Sequence, residues 1–194
     1  MALLFRGGGG MMDSRAMIAG ARSFDVVVAG APHRAVSSDT EVIPSVIPTE
    51  LVRHTLRDSS THLVAAVDLC RRMEARRITL LAPPPPLPGA AVRDRLGHGP
   101  VWPERLAEMG VGAEDVPLVP DGVRHRLWLL SVSAYRDVAD ELGVEFIAPP
   151  AEAQDPQGML REEFWRDHDA VHANGAYGTL YLQKVRSWAT EERA

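Results

Sequence analysis

No apolar stretch of this chain approaches the roughly 20 residues needed to cross a bilayer. A spanning helix is therefore not expected. Cysteine occurs once, at Cys70, so no internal disulfide can form, and its place on an apolar stripe marks it as a core residue. A surplus of positive charge is missing as well. The 21 Lys and Arg against 26 Asp and Glu give a formal net charge of -5, which leaves no electrostatic footprint for nucleic acid. The Arg71-Arg72 and Arg76-Arg77 pairs read as cations at a helix end, offsetting its dipole. No internal repeat and no linker between two domains is visible. The opening Met1–Arg6, followed by four glycines, is shorter than a signal-peptide core, and the expected setting is reducing and cytoplasmic.

What is present is the composition of an ordinary folded domain: 194 residues, 45% hydrophobic and 24% charged, enough to bury a sizeable core. Three short apolar runs organise it: Asp25–Ala29 leading into Gly30, Ile78–Ala82 into Pro83, and Val144–Ala148 into Pro149. Each is rich in branched residues and stopped by Gly or Pro, the pattern of a strand buried in a parallel sheet. Helical periodicity lies between them. Ser59 or Ser60 can cap a helix with Leu63, Val67, Cys70 and Met73 on one face. A second helix carries Leu127, Leu130, Ala134, Val138 and Leu142 and ends at Gly143. A last one starts near Asn174 and buries Tyr177, Tyr181, Val185 and Trp188. Strands alternating with helices predict right-handed βαβ units, an α/β fold. Pro83–Pro88 leaves the second strand as a stiff extended segment. The Pro- and Gly-rich stretch from about 83 to 121 reads as an insertion, either a wall of the ligand crevice beyond the strand ends or a surface excursion.

The chemistry concentrates in Asp169-Ala170-Val171-His172, followed by Ala173-Asn174-Gly175-Ala176-Tyr177-Gly178. Three residues apart on a helical turn, Asp169 and His172 share a face. Asp169 can then hold Nδ1–H of His172 and leave Nε2 as a general base, the orienter and base of a nucleophilic hydrolase. The plainer reading is a helix N-cap with a nearby surface histidine. Asn174 reads as a cap or loop brace, and His168 as solvent-facing.

Placed after the last strand and before the last helix, this segment resembles the SGNH (GDSL-type) esterase family, over roughly residues 24–190. Asp169-x-x-His172, the Asn174–Gly178 run and the Pro-rich turn after the preceding strand carry the resemblance. It implies a three-layer α/β/α, flavodoxin-like parallel sheet, and hydrolysis of carboxylic esters or O-acetyl groups on small molecules or carbohydrates. It makes Asp169 and His172 the last two members of a Ser-His-Asp triad, with no cofactor and no metal.

The family's nucleophile sits in a Gly-Asp-Ser turn after its first strand. Here Asp13-Ser14 supplies the dipeptide, but Met12 replaces the glycine, and the spacing to Val26 leaves no room for an intervening strand and helix. Ser14 also reads as a helix cap, and Ser37 and Ser38 as loop polarity. Gly30-Ala31-Pro32-His33 resembles the family's Gly-x-Asn-Asp block, with Pro32 where the asparagine donates to the oxyanion. Proline has neither the amide side chain nor a backbone N–H, and one lost donor costs about 10²–10³ in rate. His33 reads as a structural histidine.

The resemblance thus implies an N-terminally shortened domain. Residues 1–23 would be a Gly-rich segment, flexible or supplying a substitute edge strand through Ala2–Phe5. Otherwise the apolar edge near Val26–Val28 is left open, to be closed by a second copy or by a partner chain. Two other functions fit the same residues. One is a catalytically inactive SGNH-like module for binding or assembly. The other is a metal hydrolase, with His168 and His172 at i and i+4 as in a His-Glu-x-x-His helix.

Overall fold

The structure, a computed structural model, describes residues 2–6, 24–26, 45–98, 102–108, 110–116 and 118–190, the first 47 by backbone alone. It is a mixed α/β chain with parallel strand pairing. In chain order the elements are β1 (Ala2–Arg6), β2 (Phe24–Val26), β3 (Ser45–Ile47), α1 (Thr49–Asp58), α2 (Thr61–Arg72), β4 (Arg77–Leu81), α3 (Gly89–His98), α4 (Trp102–Glu108), α5 (Asp121–Leu142), β5 (Glu145–Ile147) and α6 (Gly175–Thr190). Short 3₁₀ turns lie at Ala151–Ala153 and Glu162–Phe164.

Two parallel sheets are formed among the described residues. One runs β1-β4-β5, with Leu4 opposite Thr79 and Leu81 opposite Ile147. The other pairs β2 with β3, Asp25 opposite Val46. Ala2–Arg6 is thus an edge strand, as residues 2–5 suggested, but it lies against β4. Val26 is paired with Ile47, while Val27 and Val28 lie outside the described residues, so the predicted open edge falls partly beyond them.

The central strand β4 is buried along Ile78, Thr79 and Leu80, as expected of a strand covered on both faces. Strand alternation sorts its side chains. Ile78 and Leu80 pack with Leu63, Val67 and Cys70 of α2 and with Tyr135, Val138 and Ala139 of α5. Leu81 and Ile147 point the other way, into a cluster with Tyr177, Tyr181 and Val185 of α6. Burying each such aliphatic side chain is worth about 1.5–3 kcal/mol, and the second of these clusters holds α6 against the sheet. Its Tyr181 hydroxyl is fixed further, donating to the carbonyl of Ile147 at 2.6 Å and reaching that of Ala82 at 3.3 Å.

Helix α5 begins at Asp121, six residues before the apolar pattern does, and ends as predicted at Gly143, whose φ of 61° is the left-handed C-cap conformation. Val52 and Leu56 of α1 pack against Leu130 and Ala134 of α5, flanked by the Arg53–Asp137 and Arg57–Glu141 pairs. Met73 departs from its expected face. Helix α2 closes at Arg72, so Met73 is the C-cap residue and 62% exposed.

The segment read as an insertion is part of the body. Ala91, Val92 and Leu96 of α3, Leu106 of α4 and Val116 belong to the same cluster as α6, and Arg93 reaches the carbonyls of Ala113 and Val116. A surface excursion does not describe it.

Candidate functional site

The chain between β5 and α6 is tied into a closed loop. Trp165 and Ala173 form an antiparallel bridge, and the Asn174 amide N–H donates to the Phe164 carbonyl at 2.9 Å. The Asn174 side chain faces both ways. Its Nδ2 donates to the carbonyls of Glu163 (2.8 Å) and Trp165 (3.0 Å), and its Oδ1 accepts the Tyr177 N–H at 3.1 Å. Asn174 is therefore both helix cap and loop brace, a capping role worth about 1 kcal/mol. Ala170, 2% exposed, pins the loop to the main cluster.

Asp169 and His172 meet within this loop. Asp169 Oδ1 accepts the backbone N–H groups of Val171 and His172, both at 2.9 Å, and Oδ2 lies 2.8 Å from His172 Nδ1. The pairing foreseen from the i, i+3 spacing is present, but a helical turn does not create it. Residues 169–172 are non-helical and precede α6. The carboxylate folds back on the amides two and three residues ahead, as Asp does in turns, and that carries the imidazole onto its second oxygen. The helix-cap alternative for Asp169 falls for the same reason: the cap is Asn174.

Burial disfavours the charged form of Asp169, but the two backbone N–H groups and the imidazole outweigh it and hold its carboxyl below the ordinary range. Against an ionised Asp169 the 2.8 Å contact is a hydrogen bond donated by His172 Nδ1, which directs Nε2 away from the carboxylate. The His172 side chain is 47% exposed and that of Asp169 23%. Among the described residues no hydrogen bond reaches Nε2. The pair thus has the polarity of a base held by an orienter.

His168 is exposed, with a left-handed φ of 57°. Its segment is a turn and a bend, so His168 and His172 are not presented on one helical face as the metal reading requires. Among the described residues no group of three or more His, Cys, Asp or Glu is placed to hold a metal ion. Beside the loop, Asp94, Arg95 and His98 of α3 face Asp167 and His168 across an open recess of about 400 Å³. Sequence reasoning missed Arg95, because its contacts come from 71 positions away and no local pattern announces them. Ser14, Ser37, Ser38, Gly30, Pro32 and His33 lie outside the described residues. No described helix is long and apolar enough to cross a membrane.

Comparison with known proteins brings no match: no family model, no curated protein and no solved structure corresponds to this chain.

Proposed function

We propose that this protein is an SGNH-like serine hydrolase acting on a carboxylic ester or O-acetyl group, with His172 as general base and Asp169 as its orienter. The observation that carries the reading is the 2.8 Å contact between Asp169 Oδ2 and His172 Nδ1, made by a carboxylate whose other oxygen is committed to two backbone amides. In this reading Nε2 takes the proton of a serine hydroxyl as its oxygen attacks the ester carbonyl. The imidazolium then returns that proton to the departing alcohol. Water, activated by the same nitrogen, releases the acid from the acyl-serine and restores the hydroxyl. Ser14 supplies the Asp-Ser dipeptide of the family's turn without its glycine or its spacing, so this reading assigns the base and orienter and leaves the serine to be identified by experiment. The finer fold in this proposal is the three-layer, flavodoxin-like sheet. It is supported by helices packing against β4 from opposite faces, α2 and α5 on one and α6 on the other. A cytoplasmic setting, with a carbohydrate or small-molecule ester as partner, belongs to the same reading.

The test is turnover of p-nitrophenyl acetate and of an acetylated sugar by the full chain and by His172→Ala. The reading expects a loss of about 10³-fold or more, and equal turnover by the two proteins would overturn it. One specific observation favours the inactive binding module instead: Pro32 at the position of an oxyanion-donating asparagine. That module is expected to turn over no ester and to retain its binding function in His172→Ala.

A further inference from the structure

We infer that Arg95, on α3, is a positioning residue for the Asp169–His172 pair. The inference rests on the functional reading above for its consequence, though not for its geometry. The Arg95 side chain is 13% exposed. Its guanidinium carbon lies 5.0 Å from the centre of the Trp165 ring, Nε donates to the Arg166 carbonyl at 3.2 Å, and a terminal nitrogen donates to Ala91 of its own helix at 3.2 Å. One rigid planar group therefore touches both the first residue of the loop and the aromatic residue that closes it.

The Arg166 carbonyl is also the acceptor of the Asp169 N–H, at 3.4 Å, and the Arg166 guanidinium stands 3.8 Å from Asp169 Oδ2. Holding that carbonyl holds the turn from which Asp169 projects. The turn needs holding, because His168 within it adopts a left-handed conformation that a residue with a Cβ disfavours. A charge-assisted bond to the carbonyl that opens the turn opposes that strain. The other ties differ in where they act. The Trp165–Ala173 bridge and Asn174 close the base of the loop, and Ala170 pins its far side. Arg95 joins the opening turn to a helix remote in sequence.

A lysine keeps the charge but presents one compact ammonium group. It cannot lie along the Trp165 face and span the Arg166 and Ala91 carbonyls together. Arg95→Lys is thus expected to loosen the turn, less than Arg95→Ala does.

The deciding measurement is amide–solvent exchange by NMR on the full chain, wild type against Arg95→Ala and Arg95→Lys. Exchange at Val171 and His172, whose N–H groups bind Asp169, should rise about tenfold in Arg95→Ala and severalfold in Arg95→Lys. The Tyr177 and Val185 amides of α6 should not change. Unchanged exchange at Val171 and His172 in Arg95→Lys, or a rise shared by α6, overturns the inference. Should Arg95→Ala fail to fold, Arg95→Lys decides alone. These rates do not depend on turnover: a wild type without esterase activity removes the functional reading and leaves the positioning role to be judged on exchange. Where turnover is present, Arg95→Lys should lower kcat and leave KM unchanged.

Discussion

Two histidines of this chain sit in opposite surroundings, and the contrast separates a ring oriented by a carboxylate from one set in place by packing. His172 is half exposed, held by a carboxylate at 2.8 Å through one ring nitrogen, with the other open. His125, on α5, is half-buried, stacked on Trp128 with ring centres 5.5 Å apart and pressed against the Cα side of Gly158. No carboxylate is hydrogen-bonded to it among the described residues. Burial pushes His125 below its ordinary value, against the pull of Asp155 and with that of Arg126. A ring kept neutral by its surroundings contributes shape. A ring oriented by an ionised partner contributes a directed lone pair.

The largest expected effect that sharpens this contrast is on activity. Asp169→Asn should lower ester turnover by about 10²–10⁴-fold, because an amide can favour the wrong imidazole tautomer. His125→Phe, measured in the same assay, should stay within about twofold. Equal losses in the two variants would erase the distinction.

Next comes stability at the packed histidine. A Cβ on Gly158 would stand 2.3 Å from His125 Nε2, and the residue has φ 81°. Gly158→Ala should therefore cost about 3 kcal/mol in denaturant unfolding, combining overpacking with a left-handed backbone. Adding His125→Ala should relieve the overpacking part.

The pH dependence of stability is smaller, with the same sign at the two sites and different pH windows. The unfolded chain protonates His125 before the folded protein does, so stability falls as pH drops below about 6.5, the unfolded value. His125→Phe should flatten that slope. Asp169 is depressed, so its contribution is complete above the unfolded carboxylate value of about 3.9 and is lost as pH falls below it through the folded value. Asp169→Asn should flatten only this acid limb. Denaturant midpoints collected from pH 7 to 3 distinguish the two. The smallest effect is at the loop's base, where Asn174→Ala should remove about 1 kcal/mol and speed exchange at Tyr177.

Elements with clear periodicity were legible in the sequence. The stripe from Leu63 to Cys70, Leu130, Ala134 and Val138 of the long pattern closed by Gly143, and Tyr177, Tyr181 and Val185 of the last helix bury as read, whereas Leu127, Leu142 and Trp188 are only partly buried. Elements whose stabilisation comes from elsewhere were not. Ser45–Ile47 is a three-residue strand between Pro44 and Pro48, too short to show alternation. Helix α3 starts directly after Pro88 and carries Gly89 and Gly97, so its composition resembled a loop while Ala91, Val92 and Leu96 faced the core. Arg124 and Arg126, 4% and 3% exposed on α5, follow no rule that reads charge as surface. At the site, the Asp169–His172 pairing was legible as a pairing, although a non-helical turn and not helical spacing achieves it. The Arg95 contact was not legible, since it depends on chain brought from a distance.

The central claim is that His172 serves a nucleophilic serine, and a fluorophosphonate probe addresses it directly. Intact-mass and peptide analysis of the full chain should show a single labelled serine in the wild type, with labelling lost in His172→Ala. No labelled serine in the wild type, or labelling that persists unchanged in His172→Ala, would contradict it.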